Sequence, residues 1–149
     1  VSLISLREQS PLLSKLTTTQ LDLFESLSRE ITAPDGAVLF EEGANADAFY
    51  VVAQGKVALE LTSAGRSPMI IQTLGPGDLV GLSWLFPPHR WNWRARVVGE
   101  SRLIAFDAVE VRRHCEENRD LALDVYQVLA AEMADRLHST RLRLLDLYS

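Results

Sequence analysis

The chain has 149 residues, 47% hydrophobic and 23% charged, the balance of one ordinary globular domain and not of a disordered or fibrous chain. A net charge of −5 and a sequence pI near 5.2 exclude broad, non-specific binding to phosphate backbones, which needs a basic surface. Cys115 is the one cysteine, so neither an intrachain disulfide nor a thiolate zinc cluster is available. No apolar run approaches the roughly 20 residues of a membrane span, and the first residues do not read as a signal peptide. A cytoplasmic protein without membrane association is expected.

Ser10-Pro11 is a helix opening, with Ser as N-cap and Pro at the first helical position. Leu12, Leu13 and Leu16 then form its apolar side. Thr19 offers a second N-cap, with Asp22 three residues on, and the helix it opens aligns Leu21, Phe24 and Leu27. These helices occupy about residues 10–30.

From Ile31 the period changes. Residues 38–40, 48–52, 56–61 and 69–71 are short β-rich runs. Turn signals separate them: Pro34-Asp35-Gly36, Glu42-Gly43, Gln54-Gly55, Ala64-Gly65 and Gly75-Pro76-Gly77. Between Lys56 and Leu61 the alternation puts Val57, Leu59 and Leu61 on one face and Lys56, Ala58 and Glu60 on the other. A further strand pair, about 91–98 and 102–106, closes a β region over 31–107. Short strands so spaced predict a jelly-roll-like β-roll, a double-stranded β-helix, rather than a βαβ sheet. The fold class is mainly β with flanking helices.

Asp107 is an N-cap for a short helix beginning at Val109 and Val111. From about 120 to 147 a single long helix contains neither Pro nor Gly. Tyr126, Leu129, Met133, Leu137, Thr140, Leu144 and Leu147 recur along it at three- and four-residue steps. This heptad-like seam fits a partner helix; the alternative is that it packs on the chain's own barrel. A helix of roughly 28 residues is about 42 Å long and outruns a small barrel, which favours a homodimer through its second half. The helical C-terminal part covers 108–149.

Residues 77–97 contain all three tryptophans, Trp84, Trp91 and Trp93, with Arg90, Arg94 and Arg96 interleaved. Aromatic rings and guanidinium groups so concentrated build a pocket for a flat anion, or fill one. If this stretch is a strand, Trp91, Trp93, Ala95 and Val97 face inward, while Asn92, Arg94 and Arg96 face outward as surface charges or a partner-binding strip.

Three segments resemble the cyclic-nucleotide-binding domain of the catabolite activator (CRP/FNR) family. The first is Gly36-Ala37-Val38-Leu39-Phe40-Glu41-Glu42-Gly43, with Asp47-Ala48-Phe49-Tyr50-Val51-Val52 and Gln54-Gly55-Lys56-Val57 after it. Gly77-Asp78-Leu79-Val80-Gly81 with Leu85-Phe86 is similar to the lead-in of the family's phosphate-binding cassette. Leu129-Ala130-Ala131-Glu132-Met133-Ala134-Asp135-Arg136-Leu137 resembles the start of its dimerising C-terminal helix. The resemblance implies a strand, short helix and loop whose N–H groups and one Arg hold a cyclic phosphate. It also implies a Glu after the cassette glycine, accepting from the ribose hydroxyl.

At the decisive positions the sequence departs from that pattern. Leu82 follows Gly81 where the Glu belongs, and an unpaired buried hydroxyl costs about 1–3 kcal/mol. Ser83 is placed to donate to a phosphate or to cap the short helix. Arg90 lies near the phosphate Arg, but Pro87 and Pro88 remove two N–H donors from the loop, and Trp91 replaces a small residue. The candidate ligand positions are therefore Gly81, Leu82, Ser83, Arg90, Trp91, Asn92, Trp93 and Thr140. Thr140 stands where family members present a hydroxyl to the base across the dimer, or it fixes the register of the seam. The expected occupant is a cyclic nucleotide or a related small anion, with ordinary cyclic AMP binding disfavoured.

His89, His114 and His138 show no ligand spacing, so no metal is implied, which weakens a metal-dependent cupin-like oxygenase. No catalytic constellation stands out, and Glu41-Glu42 reads as a solvated pair. The expectation is a non-enzymatic regulatory module that acts through a protein partner. The second expectation is the regulatory half of a transcription regulator. The family's helix-turn-helix is missing from the sequence up to Ser149, so direct nucleic-acid binding by these residues is not expected.

Overall fold

The computed structural model describes residues 3–62 and 65–148. Three short helices open the chain: α1 (Leu3–Leu6), α2 (Pro11–Lys15) and α3 (Thr18–Ser26). Ser10 caps α2 as expected, its hydroxyl accepting from the Leu13 N–H at 3.3 Å. The cap of α3 is Thr17, not Thr19. Thr17 Oγ1 accepts from the Gln20 N–H at 3.2 Å, and Gln20 Oε1 accepts from the Thr17 N–H at 3.0 Å. That reciprocal box satisfies two otherwise orphaned donors, and Thr19 and Asp22 lie inside the helix it starts.

Six strands follow: β1 (Ser28–Ala33), β2 (Val38–Phe40), β3 (Ala48–Leu61), β4 (Met69–Leu74), β5 (Leu79–Val80) and β6 (Arg94–Asp107). All pairings are antiparallel, and β3 and β6 run side by side from Ala48 opposite Asp107 to Glu60 opposite Arg94. β1 and β5 flank one end of this long antiparallel pair; β2 and β4 flank the other. The pair thus serves both layers of a β-roll.

The sequence suggests separate strands at 48–52 and 56–61, yet β3 is continuous. Gln54-Gly55 makes a bulge rather than a reversal, with register shifts on both sides of Gln54. Gly55 has φ 105°, and a Cβ there would strike the Ser101 side chain. Ser101 Oγ instead accepts from the Lys56 N–H at 3.1 Å. β6 is likewise one strand where a pair was expected, and it starts at Arg94, not Trp91. Of the expected Ala64-Gly65 turn, Ala64 lies outside the described residues.

Alternation along β3 and β6 divides the core in two. Val52, Val57, Leu59, Ala95, Val97 and Leu103 fill the roll. Phe49, Val51, Ile104 and Phe106 face the helices, where Leu13, Phe24, Val111 and Leu121 meet them.

Asp107 caps α4 (Ala108–Glu117), accepting from the Glu110 N–H at 3.1 Å. α5 (Arg119–Tyr148) has 30 residues, about 45 Å of helix. Its first half buries Leu121, Val125, Val128 and Leu129 against the domain. Leu129, expected in the intermolecular seam, is thus a core residue of its own chain. Beyond it no described residue of α5 is buried, because the helix has passed the edge of the helical layer.

Candidate functional site

After β5 the backbone turns at Gly81 and Leu82 into a single 3₁₀ turn, Ser83–Leu85. Trp84 anchors it from inside. Its indole stacks on Phe49 at 3.9 Å, and its Nε1–H donates to the Gly81 carbonyl at 3.1 Å. Two arginines hold the ends of the segment. Arg112 of α4 donates to the carbonyls of Trp84 (2.6 Å) and Ala46 (2.9 Å). Arg136 of α5 donates to the Leu79 carbonyl at 2.6 Å and through Nε to Glu132 at 3.1 Å. Neither arginine has a role legible in the sequence: the Glu132/Arg136 spacing is local, but the Leu79 carbonyl lies 57 positions away.

Trp91 covers the outside of the turn. Its indole is 4% exposed and lies parallel to Phe40, with centroids 3.9 Å apart. A Cβ on Gly81 would sit 2.5 Å from Cζ3 and Cη2 of that indole. Gly81 (φ 103°) therefore has both the backbone and the bareness that let the ring close down on it. The expectation that Trp93 also faces inward is corrected: it is 39% exposed. Residues 91–93 precede β6, so strand alternation does not reach them.

Arg90 does not point into this space. Its Nη1 donates to the Gly43 carbonyl at 2.9 Å, and its backbone bridges to Asn45. In the loop that would cradle a phosphate, three N–H groups are engaged and two are missing. The Phe86 and His89 N–H groups donate to Ser83 and Phe86 carbonyls, the Trp91 N–H donates to Ala44, and Pro87 and Pro88 have none. Ser83 Oγ accepts from Asn92 Nδ2 at 3.4 Å, and the Thr140 hydroxyl donates back to the Arg136 carbonyl at 2.9 Å. Leu82 is half-buried and gives the turn no side-chain cap.

Two adjoining cavities remain. The inner one, about 180 Å³, is bounded by Gly81, Leu82, Ser83, Trp91, Asn92 and Arg136. That is below the roughly 300–1,000 Å³ of small-molecule pockets. An outer groove of about 530 Å³ runs between β4 and the second half of α5, past Ile71, Leu137 and Thr140. Leu82, Trp93, Met133 and Arg136 border both. The structure thus brings together Gly81, Leu82, Ser83, Trp91, Asn92, Trp93 and Thr140, and leaves Arg90 outside.

Arg94 and Arg96, expected as surface charges, converge on Glu60, which is 2% exposed. The contacts are 3.1 Å and 3.0 Å. Burial alone would raise the Glu60 pKa, but the Arg96 and Arg94 guanidiniums outweigh it and leave the carboxyl below its ordinary range. Burial pushes the Cys115 thiol up to about 11, with Glu116 adding to it, so this thiol is unreactive at neutral pH. Among the described residues no His, Cys, Asp and Glu cluster could hold a metal, and no helix is long and apolar enough to cross a membrane.

A strand, a short helical turn and a loop in a β-roll, with a long helix at the C-terminal end, match the arrangement implied by the resemblance. The family model of the cyclic nucleotide-binding domain matches residues 30–118. The chain belongs to this family. It is 33% identical over 140 residues to the cyclic AMP receptor protein of Thermus thermophilus, covering 94% of this chain and 62% of that protein. Among solved structures, a candidate cyclic nucleotide-binding protein from Geobacter metallireducens superposes with a TM-score of 0.83 at 28% identity. That alignment covers 93% of this chain and 99% of the other. The catabolite activator protein of Thermus thermophilus gives a TM-score of 0.72 at 30% identity, over 93% of this chain and 63% of its own. The chain therefore spans under two thirds of the curated relative it matches. It is a regulatory, sensor-type domain related to the N-terminal domains of CRP-family regulators.

Proposed function

We propose that this domain is a dimeric, non-enzymatic sensor whose cassette keeps the family frame but does not take cyclic AMP in the usual way. The observation that carries this reading is the Trp91 indole seated on Gly81 and stacked on Phe40. A sugar-phosphate at Gly81 has to displace a ring that buries about 150–250 Å². Leu82 then offers no acceptor to the ribose, and the Phe86, His89 and Trp91 N–H groups are already engaged. Titration calorimetry with cyclic AMP and cyclic GMP is expected to give no micromolar binding; micromolar or tighter binding of either overturns the reading.

Dimerisation is proposed through the second half of α5. Leu137, Leu144 and Leu147 are 52%, 50% and 78% exposed, and a second copy is the simplest cover for such a stripe. Met133, Thr140 and Tyr126 complete this seam; Leu129 does not, being internal. Sedimentation of the chain at tens of micromolar should give a dimer, and Leu137→Asp a monomer. A monomeric parent, or a variant of unchanged mass, sinks the dimer.

The coverage of 62% of the Thermus receptor favours a second reading, the regulatory half of a transcription regulator. The reading frame downstream of Ser149 tests it: a helix-turn-helix there supports this reading over a sensor that works only through a protein partner.

A further inference from the structure

The groove between β4 and α5 has a chemistry of its own. Its walls are the apolar side chains of Met69, Ile70, Ile71, Met133, Leu137 and Leu144, with the Trp93 indole at one end. Two arginines, Arg136 and Arg143, line it, and no Asp or Glu does. In a chain of net charge −5, a concave site lined by Arg143 and by Arg136, the latter paired with Glu132, and by no carboxylate of its own favours negative charge. Its volume of about 530 Å³ lies within the roughly 300–1,000 Å³ of small-molecule pockets.

The donors suit a planar anion. Arg136 uses Nε–H on Glu132 and one Nη2–H on the Leu79 carbonyl. Those are two of the five N–H groups of a guanidinium. Glu132 offsets part of its charge, so Arg143, whose Nη1 reaches the Ile71 carbonyl at 3.0 Å, supplies the second cation. A phosphate ester of a sugar would be poorly matched, since the inner cavity beside Gly81 holds only about 180 Å³ and is lined mostly by apolar side chains.

We infer that this groove binds an amphipathic organic acid, its apolar body along β4 and α5 and its carboxylate on Arg143. The inference rests on the reading that the cassette does not hold a cyclic nucleotide. It names the ligand class that the same site takes instead. Leu137 and Leu144 are about half exposed although they line the groove, which leaves their outer sides to a second copy. Met133, Thr140 and Leu147 of the proposed seam line the groove as well, so ligand and dimer share five side chains and each takes a different side of them.

The test is calorimetric titration of the full chain with four probes: decanoate, 1-naphthaleneacetate, decanol and acetate. Saturable binding of one or both acids is expected at one per chain. Decanol, which lacks the charge, and acetate, which lacks the body, should each bind at least about tenfold more weakly, the worth of one charge-assisted contact. Decanoate against naphthaleneacetate separates an alkyl source from an aryl one. Ile70→Glu adds a carboxylate to the strand wall without touching α5, at a side chain 54% exposed, so the fold is kept. It should weaken the acid at least about tenfold, as should Arg143→Gln. No saturable binding below about 1 mM, equal binding of decanol, or indifference to Ile70→Glu overturns the inference. A parallel cyclic AMP titration separates the failures: tight cyclic AMP binding overturns the reading of the cassette, and absent acid binding overturns only this inference.

Discussion

The two sides of the Gly81 turn are each closed by a tryptophan, and the two do opposite things. On the inner side Trp84 is fully buried, stacks on Phe49 and hydrogen-bonds the Gly81 carbonyl. It builds the frame. On the outer side Trp91 lies over the same glycine against Phe40, at the edge of a cavity. That is the side on which the family resemblance puts a ligand. One aromatic residue thus holds the frame of the cassette and another lies over its glycine; on the proposed reading the second takes the ligand's place.

The largest expected effect falls on the inner side. Trp84→Ala removes a fully buried indole and should cost about 3–5 kcal/mol in urea unfolding. A loss under about 1 kcal/mol would mean that the frame does not depend on it. Gly81→Ala probes the contact between the two sides. Its φ of 103° costs an L-residue about 1–2 kcal/mol, and the Cβ 2.5 Å from Trp91 adds an overpacking cost of roughly 1–3 kcal/mol. In a Trp91→Ala background the steric part should vanish, giving a coupling of about 1 kcal/mol or more. Strict additivity would place the indole elsewhere in solution.

The smallest effect tests what holds the outer side in place. Glu60 pins Arg94, the first residue of β6 and next to Trp93, together with Arg96. Its folded pKa lies below the ordinary value. The stabilisation is therefore full above the unfolded pKa of about 4.3 and is lost as pH falls through the lower folded value. Glu60→Gln should lose about 1–2 kcal/mol at neutral pH. Its stability should also fall less steeply than the parent's below pH ~4. Parallel acid titrations of the two would detach Glu60 from this role.

Local signals carried most of the fold. Ser10-Pro11 and Asp107 announce their helices because a cap acts over three residues, and the glycines mark changes of direction in the roll. They do not say which kind. Gly55 reads like a turn from its neighbours, and only Ser101, 46 positions on in the paired strand, makes it a bulge. Thr17 and Thr19 are equivalent until Gln20 is seen to return the hydrogen bond. In the site, Leu82 and Trp91 could be weighed from the sequence because each changes a local group. The direction of Arg90 depends on Gly43, and the part played by Arg136 depends on Leu79. Both are tertiary contacts with no periodicity to reveal them. Trp93 differs from its expected inward position because β6 begins at Arg94, so strand alternation does not extend to it.

The central claim is that Trp91, with Leu82 beside it, stands in the place of the nucleotide. Its most direct measurement is the heat of cyclic AMP binding to Leu82→Glu/Trp91→Ala beside the parent chain, with unfolding curves to confirm that both are folded. The account predicts no binding tighter than about 100 µM for the parent and a gain of at least about tenfold for the double variant. Micromolar binding by the parent, with no gain in the variant, would contradict it.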